Sequence, residues 1–352
     1  MKIIHIESGL GNQMLSYCEY LALKKMNPED NFYLETIIYD IPECNDVICQ
    51  WNGYELKRIF GIKEPKNVRA LFNESQWNNI IKDIRESKFW DKNWNYPVYI
   101  TKALNAQGLN LKNIRGNFED GTHYAMTVKM NRETWKSRFV DSWIGATLKR
   151  HYHALRKEKF IKTRDRRSKL FLKTTDNLFT GQWLSFKLCG NERWRVDDEI
   201  KKAFKFPAFK DDKNREMAER LQQCNSVAIH ARRGDMLSSN GWCYKYGYFK
   251  RAVRHIRKKV KDPVFVFFTN TGSIEWCKEN SRIFGLDYSK DKVYFVDWNT
   301  GEESYRDMQL MSYCKHAIIT RSSFGWWGAY FIQNPDKITI SPSIDIDTTF
   351  HC

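Results

Sequence analysis

Residues 226–237 read S-V-A-I-H-A-R-R-G-D-M-L. The apolar run of Val227, Ala228 and Ile229 predicts a buried parallel strand, because helices cover both faces of such strands. Polar residues follow the run at once, and ligands of open α/β sheets lie just outside the carboxyl ends of the strands. An anion site is therefore expected at this strand end. Its candidate residues are His230, Arg232, Arg233 and Asp235.

The two arginines favour a phosphate ligand in particular. The guanidinium group stays charged at any working pH, and its planar fork donates two parallel hydrogen bonds to phosphate oxygens. Gly234, which follows Arg233, allows a turn that most residues resist. Solvated charges at a strand end are the alternative, and an isolated R-R-G-D would favour that alternative.

A second strand end in the same half of the chain has a similar character. Residues 317–320 (A-I-I-T) are expected to form a strand, and Ser322, Ser323 and Phe324 open the helix that follows. Hydroxyls and backbone N–H groups at a helix N-terminus bind phosphate well, although simple N-capping is the usual role of a single serine. Two such strand ends in one parallel domain predict a diphosphate site.

The N-terminal residues predict another strand, turn and helix. Residues 2–6 (K-I-I-H-I) form the strand, residues 9–13 (G-L-G-N-Q) the turn, and an apolar stripe marks the helix. Glycines let the backbone approach a ligand, and a helix N-terminus attracts negative charge. The turn has the spacing of neither standard nucleotide-binding fingerprint. Taken alone, it is more typical of a tight structural turn than of a site.

Strands and helices alternate along the chain, which predicts an α/β fold with parallel sheets. Further strands are expected at residues 32–41, 263–268 and 292–296, and helices at residues 76–88, 214–223, 248–260, 273–284 and 305–316. The stretch F-P-A-F-K-D-D-K at residues 206–213 interrupts this pattern and marks a candidate domain boundary. We therefore divide the chain into residues 1–210 and residues 211–352.

Charge and cysteine content limit the class of protein. The formal net charge of +16 over 352 residues implies an anionic partner, for which nucleic acid, anionic lipid and nucleotide-sugar all qualify. Nine scattered cysteines without zinc-ligand spacing predict reduced core thiols in a cytoplasmic protein. The chain begins directly with a strand pattern and lacks a long apolar run, so neither a signal peptide nor a membrane span is expected.

The charge is most concentrated in residues 149–169. A solvated basic helix face is the first interpretation of this run, and contact with anionic lipid headgroups is the second. Nucleic-acid binding comes third, because no recognised nucleic-acid motif accompanies the charge.

Three motifs resemble the bacterial α-1,2-fucosyltransferases, which form glycosyltransferase family 11. They are G-L-G-N-Q at residues 9–13, H-A-R-R-G-D at residues 230–235, and S-Y-R-D-M-Q-L-M-S-Y-C-K-H-A-I-I-T-R-S-S-F-G-W-W-G-A at residues 304–329. The resemblance implies a GT-B-like fold, with two Rossmann-like domains facing a cleft. Residues 1–210 would lie on the acceptor side and residues 211–352 would bind GDP-fucose. It also implies inversion at the sugar carbon without a metal or another cofactor.

The resemblance further implies individual roles for the motif residues. Arg232 would neutralise the leaving GDP, and Asp307 would hydrogen-bond the guanine. The phosphates would be cradled by Ser322, Ser323 and Phe324. The remaining donor-binding residues would be Gly11, Asn12, Gln13, His230 and Arg233.

The chemistry of such a transfer adds two requirements. Departure of a diphosphate needs a metal or fixed cationic and N–H donors, and the chain offers the second. The D-I-D at residues 345–347 has no supporting pattern and is interpreted as tail. Inversion also needs a base that takes the proton of the acceptor hydroxyl. Asp235 is the candidate base, and orientation of Arg232 or Arg233 is its alternative role.

The expected function is transfer of L-fucose from GDP-fucose to a hydroxyl of a glycan acceptor, in surface polysaccharide or lipopolysaccharide synthesis. An oligosaccharide or lipid-linked glycan is the expected acceptor, with peripheral contact to an anionic inner membrane and no nucleic acid. Met236, the stretch F-T-N-T at residues 268–271, Arg321 and Gly325 depart from residues that many family members carry. A different nucleotide-sugar or linkage is therefore the alternative within the enzyme class. A basic nucleic-acid-binding protein is the alternative from another class.

Overall fold

The computed structural model describes residues 1–44, 52–89, 96–113, 177–180 and 196–342, with a few further residues between 135 and 156. The chain forms two compact units. The N-terminal unit comprises Met1–Phe139 with Ala154–Lys205, and the C-terminal unit comprises Val140–His153 with Phe206–Cys352. The chain passes from the N-terminal unit to the C-terminal unit between Lys205 and Phe206, close to the boundary placed at residue 210 from the sequence.

A parallel sheet forms the centre of the N-terminal unit. Its strands are β1 (Lys2–His5), β2 (Phe32–Glu35), β3 (Lys112–Asn113) and β4 (Leu178–Thr180), in the order β2-β1-β4-β3. The helices of this unit are α1 (Leu10–Met26), α2 (Leu56–Phe60), α3 (Glu74–Ser87), α4 (Tyr96–Ala106) and α5 (Asp197–Ala203). Ile80 and Ile84, one turn apart on α3, are fully buried against Ile3 and Phe179 of the sheet.

The C-terminal unit has a five-stranded parallel sheet. Its strands are β5 (Asn225–His230), β6 (Pro263–Phe268), β7 (Val293–Val296), β8 (His316–Ile319) and β9 (Thr339–Ile340). Their order is β7-β6-β5-β8-β9, so the first strand of the unit lies in the middle. This order matches the first five strands of a Rossmann sheet.

Helices cover both faces of this sheet. They are α6 (Asp212–Gln223), α7 (Leu237–Lys245), α8 (Tyr248–Lys259), α9 (Ile274–Glu279), α10 (Ser281–Phe284), α11 (Tyr305–Tyr313) and α12 (Ser323–Tyr330). Strand β6 reads P-V-F-V-F-F and is buried from Val264 to Phe268. Phe265 and Phe267 join the core under α7, α8 and α10, whereas Val266 and Phe268 join the core under α6, α11 and α12. Side chains alternate along a strand, so one apolar run supplies both layers.

The prediction of an α/β fold with parallel sheets is confirmed, and both Rossmann-like units of a GT-B-like fold are present. Two local predictions were wrong, and one helix was not predicted. The strand expected at residues 32–41 ends at Glu35, whose carboxylate accepts the N–H of Ile37 and starts a single helical turn, Ile37–Asp40. The helix expected at residues 273–284 is interrupted at Asn280, whose side chain donates to the Trp276 carbonyl at 2.7 Å. Helix α7 has no counterpart among the predicted elements.

Candidate functional site

The connections of the C-terminal sheet diverge between β5 and β8. The chain leaves β5 through α7 and α8 on one face, and it reaches β8 through α11 on the other face. Ligands of open α/β sheets bind outside the carboxyl ends of the strands at such a switch point. His230 at the end of β5 pairs in register with Ile319 at the end of β8. The two polar stretches singled out from the sequence therefore meet at the position where a ligand is expected.

Thr320 joins the two strand ends. Its N–H donates to the His230 carbonyl at 3.0 Å, and its hydroxyl donates to the same oxygen at 3.1 Å. The hydroxyl oxygen accepts in turn from the N–H of Arg232 at 2.9 Å. The backbone of Arg232 is thus fixed to β8 before any ligand binds.

The other side of the arginine turn is fixed to the end of β6. The N–H of Arg233 donates to Asn270 Oδ1 at 2.9 Å, and the Thr269 hydroxyl donates to the Ala231 carbonyl at 2.7 Å. Gly234 has a φ of +55°, and a Cβ at this position would lie 2.7 Å from Asn270 Nδ2. Both the left-handed backbone and the close approach of Asn270 therefore require glycine at residue 234.

Two side chains of α7 form hydrogen bonds with the backbone of the turns after β5 and β8. No sequence motif indicated either residue. Asn240 is fully buried; its amide donates to the carbonyls of Arg232 (3.3 Å) and Arg321 (3.2 Å) and accepts from the N–H of Arg321 (3.1 Å). The Tyr244 hydroxyl donates to the Arg232 carbonyl at 2.9 Å. Because α7 was not predicted from the sequence, neither residue could be connected with the site.

The two arginines have different environments. The guanidinium of Arg233 lies 3.3 Å from the ring centre of Trp276 and 5.1 Å from that of Tyr244. Its flat face is therefore taken up by aromatic stacking. Arg232 is half-buried at the tip of the turn, with its backbone anchored to β8 and α7. The anchored backbone of Arg232 fixes the point from which its side chain extends at this strand end.

The N-terminus of α12 supplies backbone donors beside this turn. The first intrahelical hydrogen bond runs from the N–H of Trp326 to the Ser322 carbonyl at 3.0 Å. The N–H groups of Ser323, Phe324 and Gly325 precede it and have no partner within the helix. Ser322 makes no side-chain capping bond, so the N-capping alternative for this serine is not observed. Three backbone N–H groups are consequently available to an anion at the positive end of the helix dipole.

His230 is part of the support of this helix terminus. Its ring is 3% exposed and stacks on Phe324, with ring centres 5.8 Å apart. Burial and the nearby charge of Arg232 lower the pKa of His230 to about 3, so the ring is neutral at physiological pH. Its Nδ1 atom has no hydrogen-bond partner among the described residues. A Cβ on Gly325 would lie 2.4 Å from that atom, so glycine permits α12 to begin this close to β5.

Asp307 belongs to a separate hydrogen-bond network at the start of α11. Its Oδ1 accepts from Asn299 at 2.8 Å, and Asn299 exchanges hydrogen bonds with Asn214, which also accepts from the Trp298 indole. Burial raises the pKa of Asp307 to about 8. The carboxyl is therefore largely protonated at pH 7. A partner that donates hydrogen bonds to it would favour the ionised form.

Asp235 lies in the helical turn Gly234–Met236, and its side chain is outside the described part of the structure. Its role as a base stays a prediction. Residues 345–347 and most of the basic run at residues 149–169 lie outside the described residues. The interpretations of these two stretches therefore also stay predictions. Within the described residues, no group of three or more His, Cys, Asp and Glu side chains is arranged to hold a metal ion.

The G-L-G-N-Q motif at residues 9–13 has contacts within its own unit. Gly11, Asn12 and Gln13 lie in the first turn of α1, not before it. The buried Gln13 amide donates to the carbonyls of Ser8 (2.9 Å) and Gly53 (2.8 Å) and accepts from the N–H of Glu55 (2.9 Å).

Glu55 also occupies the N-terminus of α1. Its carboxylate accepts the N–H of Leu10 and pairs with Arg58 at 2.8 Å. The positive end of this helix therefore already faces an acidic side chain of the chain itself. This arrangement favours the structural-turn interpretation of the motif, and a contact of Gly11, Asn12 or Gln13 with a donor stays a prediction.

The chain is similar to one known family and to several known proteins. The family model described as Glycosyl transferase family 11 matches residues 125–352. An alpha-1,2-colitosyltransferase of Escherichia coli is 36% identical over 136 residues, which are 37% of this chain and 44% of that protein. A galactoside alpha-(1,2)-fucosyltransferase 1 of Plecturocebus brunneus is 34% identical over 109 residues, which are 30% of this chain and 28% of that protein.

These matches span less than half the length of either curated relative. Among solved structures, fucosyltransferase NodZ from Bradyrhizobium aligns with a TM-score of 0.41 and 12% identity, over 93% of this chain and 91% of that one. The family match covers well over half of the chain and includes both strand ends of the site. The chain belongs to glycosyltransferase family 11.

Proposed function

We propose that the protein transfers L-fucose from GDP-fucose to a hydroxyl of a glycan acceptor, with the 2-hydroxyl of a galactoside as the preferred position. One observation carries the proposal. At the β5/β8 switch point, an anchored arginine turn and the unpaired N–H groups of α12 lie side by side. Family membership and the alpha-1,2 linkage in the names of the relatives support the sugar class and the linkage.

The site suits stabilisation of a leaving nucleoside diphosphate. When the bond between the sugar carbon and the β-phosphate oxygen breaks, negative charge grows on the phosphate. The Arg232 guanidinium and the N–H groups of Ser323, Phe324 and Gly325 would donate to these oxygens. Because hydrogen bonds hold the turn in place beforehand, little reorganisation is needed during the reaction. Metal-independent departure of GDP is part of this proposal.

The acceptor side of the reaction is proposed to proceed with inversion. The acceptor hydroxyl attacks the sugar carbon from the face opposite GDP, and a base takes its proton. Asp235 is the proposed base because it follows the arginine turn directly. Asp307 is proposed to accept hydrogen bonds from the guanine, whose N–H groups would favour its ionised form.

The test compares wild type with Arg232→Ala in the presence of EDTA. Donor hydrolysis and binding are measured for GDP-fucose, GDP-mannose and UDP-galactose. We expect selective use of GDP-fucose and a loss of roughly 100- to 1,000-fold in kcat for the variant, the size seen when one transition-state donor is removed. Arg220→Ala is the matched control, since Arg220 is an exposed arginine on α6 that contacts Tyr294. Absence of activity with all three donors would contradict the proposal. Equal activity of Arg232→Ala and Arg220→Ala would contradict it as well.

A second candidate donor follows from the relative at 36% identity, an alpha-1,2-colitosyltransferase. Transfer of colitose would use the same diphosphate site and the same linkage. The two candidates are distinguished by kcat/KM for GDP-fucose and GDP-colitose with a common galactoside acceptor. A clear preference for GDP-colitose would reassign the sugar and leave the proposed role of Arg232 unchanged.

A further inference from the structure

Helix α8 presents an unusually basic face to solvent. Its sequence, Y-F-K-R-A-V-R-H-I-R-K-K, contains six Lys or Arg residues and no acidic residue. The apolar side chains Phe249, Val253 and Ile256 are buried in the core, so the charged side chains are confined to the outer face. The exposed basic residues are Lys250, Arg251, Arg254, His255, Arg257, Lys258 and Lys259.

Four of these residues form a continuous stripe. Lys250, Arg254, Arg257 and Lys258 recur at helical spacing over about 12 Å of helix. Together with Gly285 they line a surface cavity of about 290 Å³. Gly285 has a φ of +71°, and a Cβ there would lie 3.1 Å from the Lys250 Cα. Glycine at this position therefore permits the left-handed turn and the close approach of the end of α10 to α8. We call these four cations the α8 stripe.

Most of the charge of the α8 stripe is uncompensated. Arg257 donates to both carboxylate oxygens of Asp291 at 2.7 Å and to the Gly285 carbonyl at 3.3 Å. Across the part of the chain that the structure describes, Lys250, Arg254 and Lys258 form no ion pair. Lys250 and Arg254, and again Arg254 and Lys258, are like charges four residues apart, which destabilise a helix. Arg257 and Lys258 lie in the last turn, where the helix dipole favours cations, but helix stability does not account for Lys250 and Arg254.

We propose that the α8 stripe docks the protein onto a membrane surface rich in anionic phospholipid, with a headgroup phosphate in the cavity. A row of cations on one side of a rigid helix can meet many headgroups at once, and a planar anionic surface attracts each of them. Single-stranded nucleic acid would require exposed rings for base stacking, whereas Tyr248 and Phe249, the aromatic residues of α8, are buried. The proposal does not depend on the transferase function.

The experiment measures co-sedimentation of the full chain with vesicles of phosphatidylcholine alone or with 30% phosphatidylglycerol. The variant carries Lys250→Gln, Arg254→Gln and Lys258→Gln. The matched control carries Lys63→Gln, Lys66→Gln and Lys102→Gln, three exposed lysines of the N-terminal unit, so the net charge is the same. We expect wild type and control to bind only the anionic vesicles. The α8 variant should bind roughly 100-fold more weakly, because each basic residue near the surface contributes about fivefold.

Three outcomes would overturn the proposal. Equal loss of binding in the variant and its control would assign the effect to net charge. Binding to phosphatidylcholine alone, undiminished by 500 mM salt, would show that electrostatic attraction is not the cause. Binding of a DNA or RNA oligonucleotide that depends on the α8 stripe, without binding to either kind of vesicle, would identify a nucleic-acid surface. Circular dichroism verifies that the variant is folded.

Discussion

At the scale of single residues, the site depends on how closely α12 approaches the end of β5. Gly325 makes this approach possible, because any side chain there would meet the buried ring of His230. The ring is neutral and stacked on Phe324, so it cannot move aside as an exposed flexible side chain would. The position of three backbone N–H groups therefore rests on the absence of one Cβ.

Gly325→Ala should consequently displace the N-terminus of α12. We expect a loss of about 1–3 kcal/mol in the free energy of unfolding, the usual cost of overpacking a core, and a clear fall in GDP affinity. The control is Gly241→Ala in α7, where a Cβ would contact nothing within 4 Å. That change should keep GDP affinity and raise stability by up to ~1 kcal/mol, since alanine favours helix. Urea unfolding and calorimetric titration with GDP measure both effects, and equal behaviour of the two variants would contradict the argument.

At the scale of elements, α7 supports the two loops that form the site. Through Asn240 and Tyr244 it binds the backbone on both sides of the β5/β8 switch point. The loops themselves carry the groups proposed to face the phosphates, whereas α7 contributes only hydrogen bonds to their backbone. Asn240 is thus a positioning residue.

Asn240→Ala should weaken GDP binding without removing any group that contacts the phosphates. The change leaves the Arg321 N–H and the carbonyls of Arg232 and Arg321 without this partner. We expect a loss of about 2–3 kcal/mol in stability, typical of unsatisfied buried polar groups, and at least a tenfold rise in the Kd for GDP. In the control, Asn225→Ala, a single bond to the Lys261 carbonyl is lost. An unchanged Kd in Asn240→Ala would remove α7 from the description of the site.

At the scale of the whole molecule, the pKa values of two buried histidines, one in each unit, are shifted in opposite directions. In the N-terminal unit burial disfavours protonated His5, but Glu35 and Glu7 outweigh it and raise its pKa to about 9. In the C-terminal unit burial and Arg232 lower the pKa of His230 to about 3. The stabilisation from His5 is complete below pH 6.5 and is lost as the pH rises through 9. Because folded His230 stays neutral, it lowers the free energy of unfolding as the pH falls below 6.5.

Urea unfolding should therefore show a pH dependence that originates from His5 in the N-terminal unit. Between pH 7 and pH 9.5 the N-terminal unit should lose up to about 3 kcal/mol, the equivalent of the His5 shift at 1.36 kcal/mol per pKa unit. Glu35→Gln should abolish most of this dependence, whereas Glu86→Gln, at an exposed pair with Lys82, should leave it intact. The same slope in both variants would show that His5 is not its source.

The sequence alone identified the alternation of strands and helices, the two anion-suited strand ends and the family. Each of these features depends on residues that are close together in the sequence: a run of β-formers, a turn residue, and the side chains that follow directly. The roles proposed for Arg232 and for the N-terminus of α12 were accessible for the same reason. The ends of elements were harder to predict. Strand β2 ends at Glu35 because its carboxylate accepts a hydrogen bond from the N–H of Ile37, and the hydrophobic pattern does not encode this bond.

Only the tertiary structure showed which partners the candidate residues have within the chain. Gln13 is occupied by Gly53, 40 residues away, and Arg233 by the ring of Trp276. Asn240 reaches Arg321 over 81 residues, and Thr320 reaches Arg232 over 88. These contacts depend on which strands are neighbours in the sheet and on which face each helix packs. Sequence periodicity predicts that an element forms, but the partner of a polar side chain is determined only when the elements pack together.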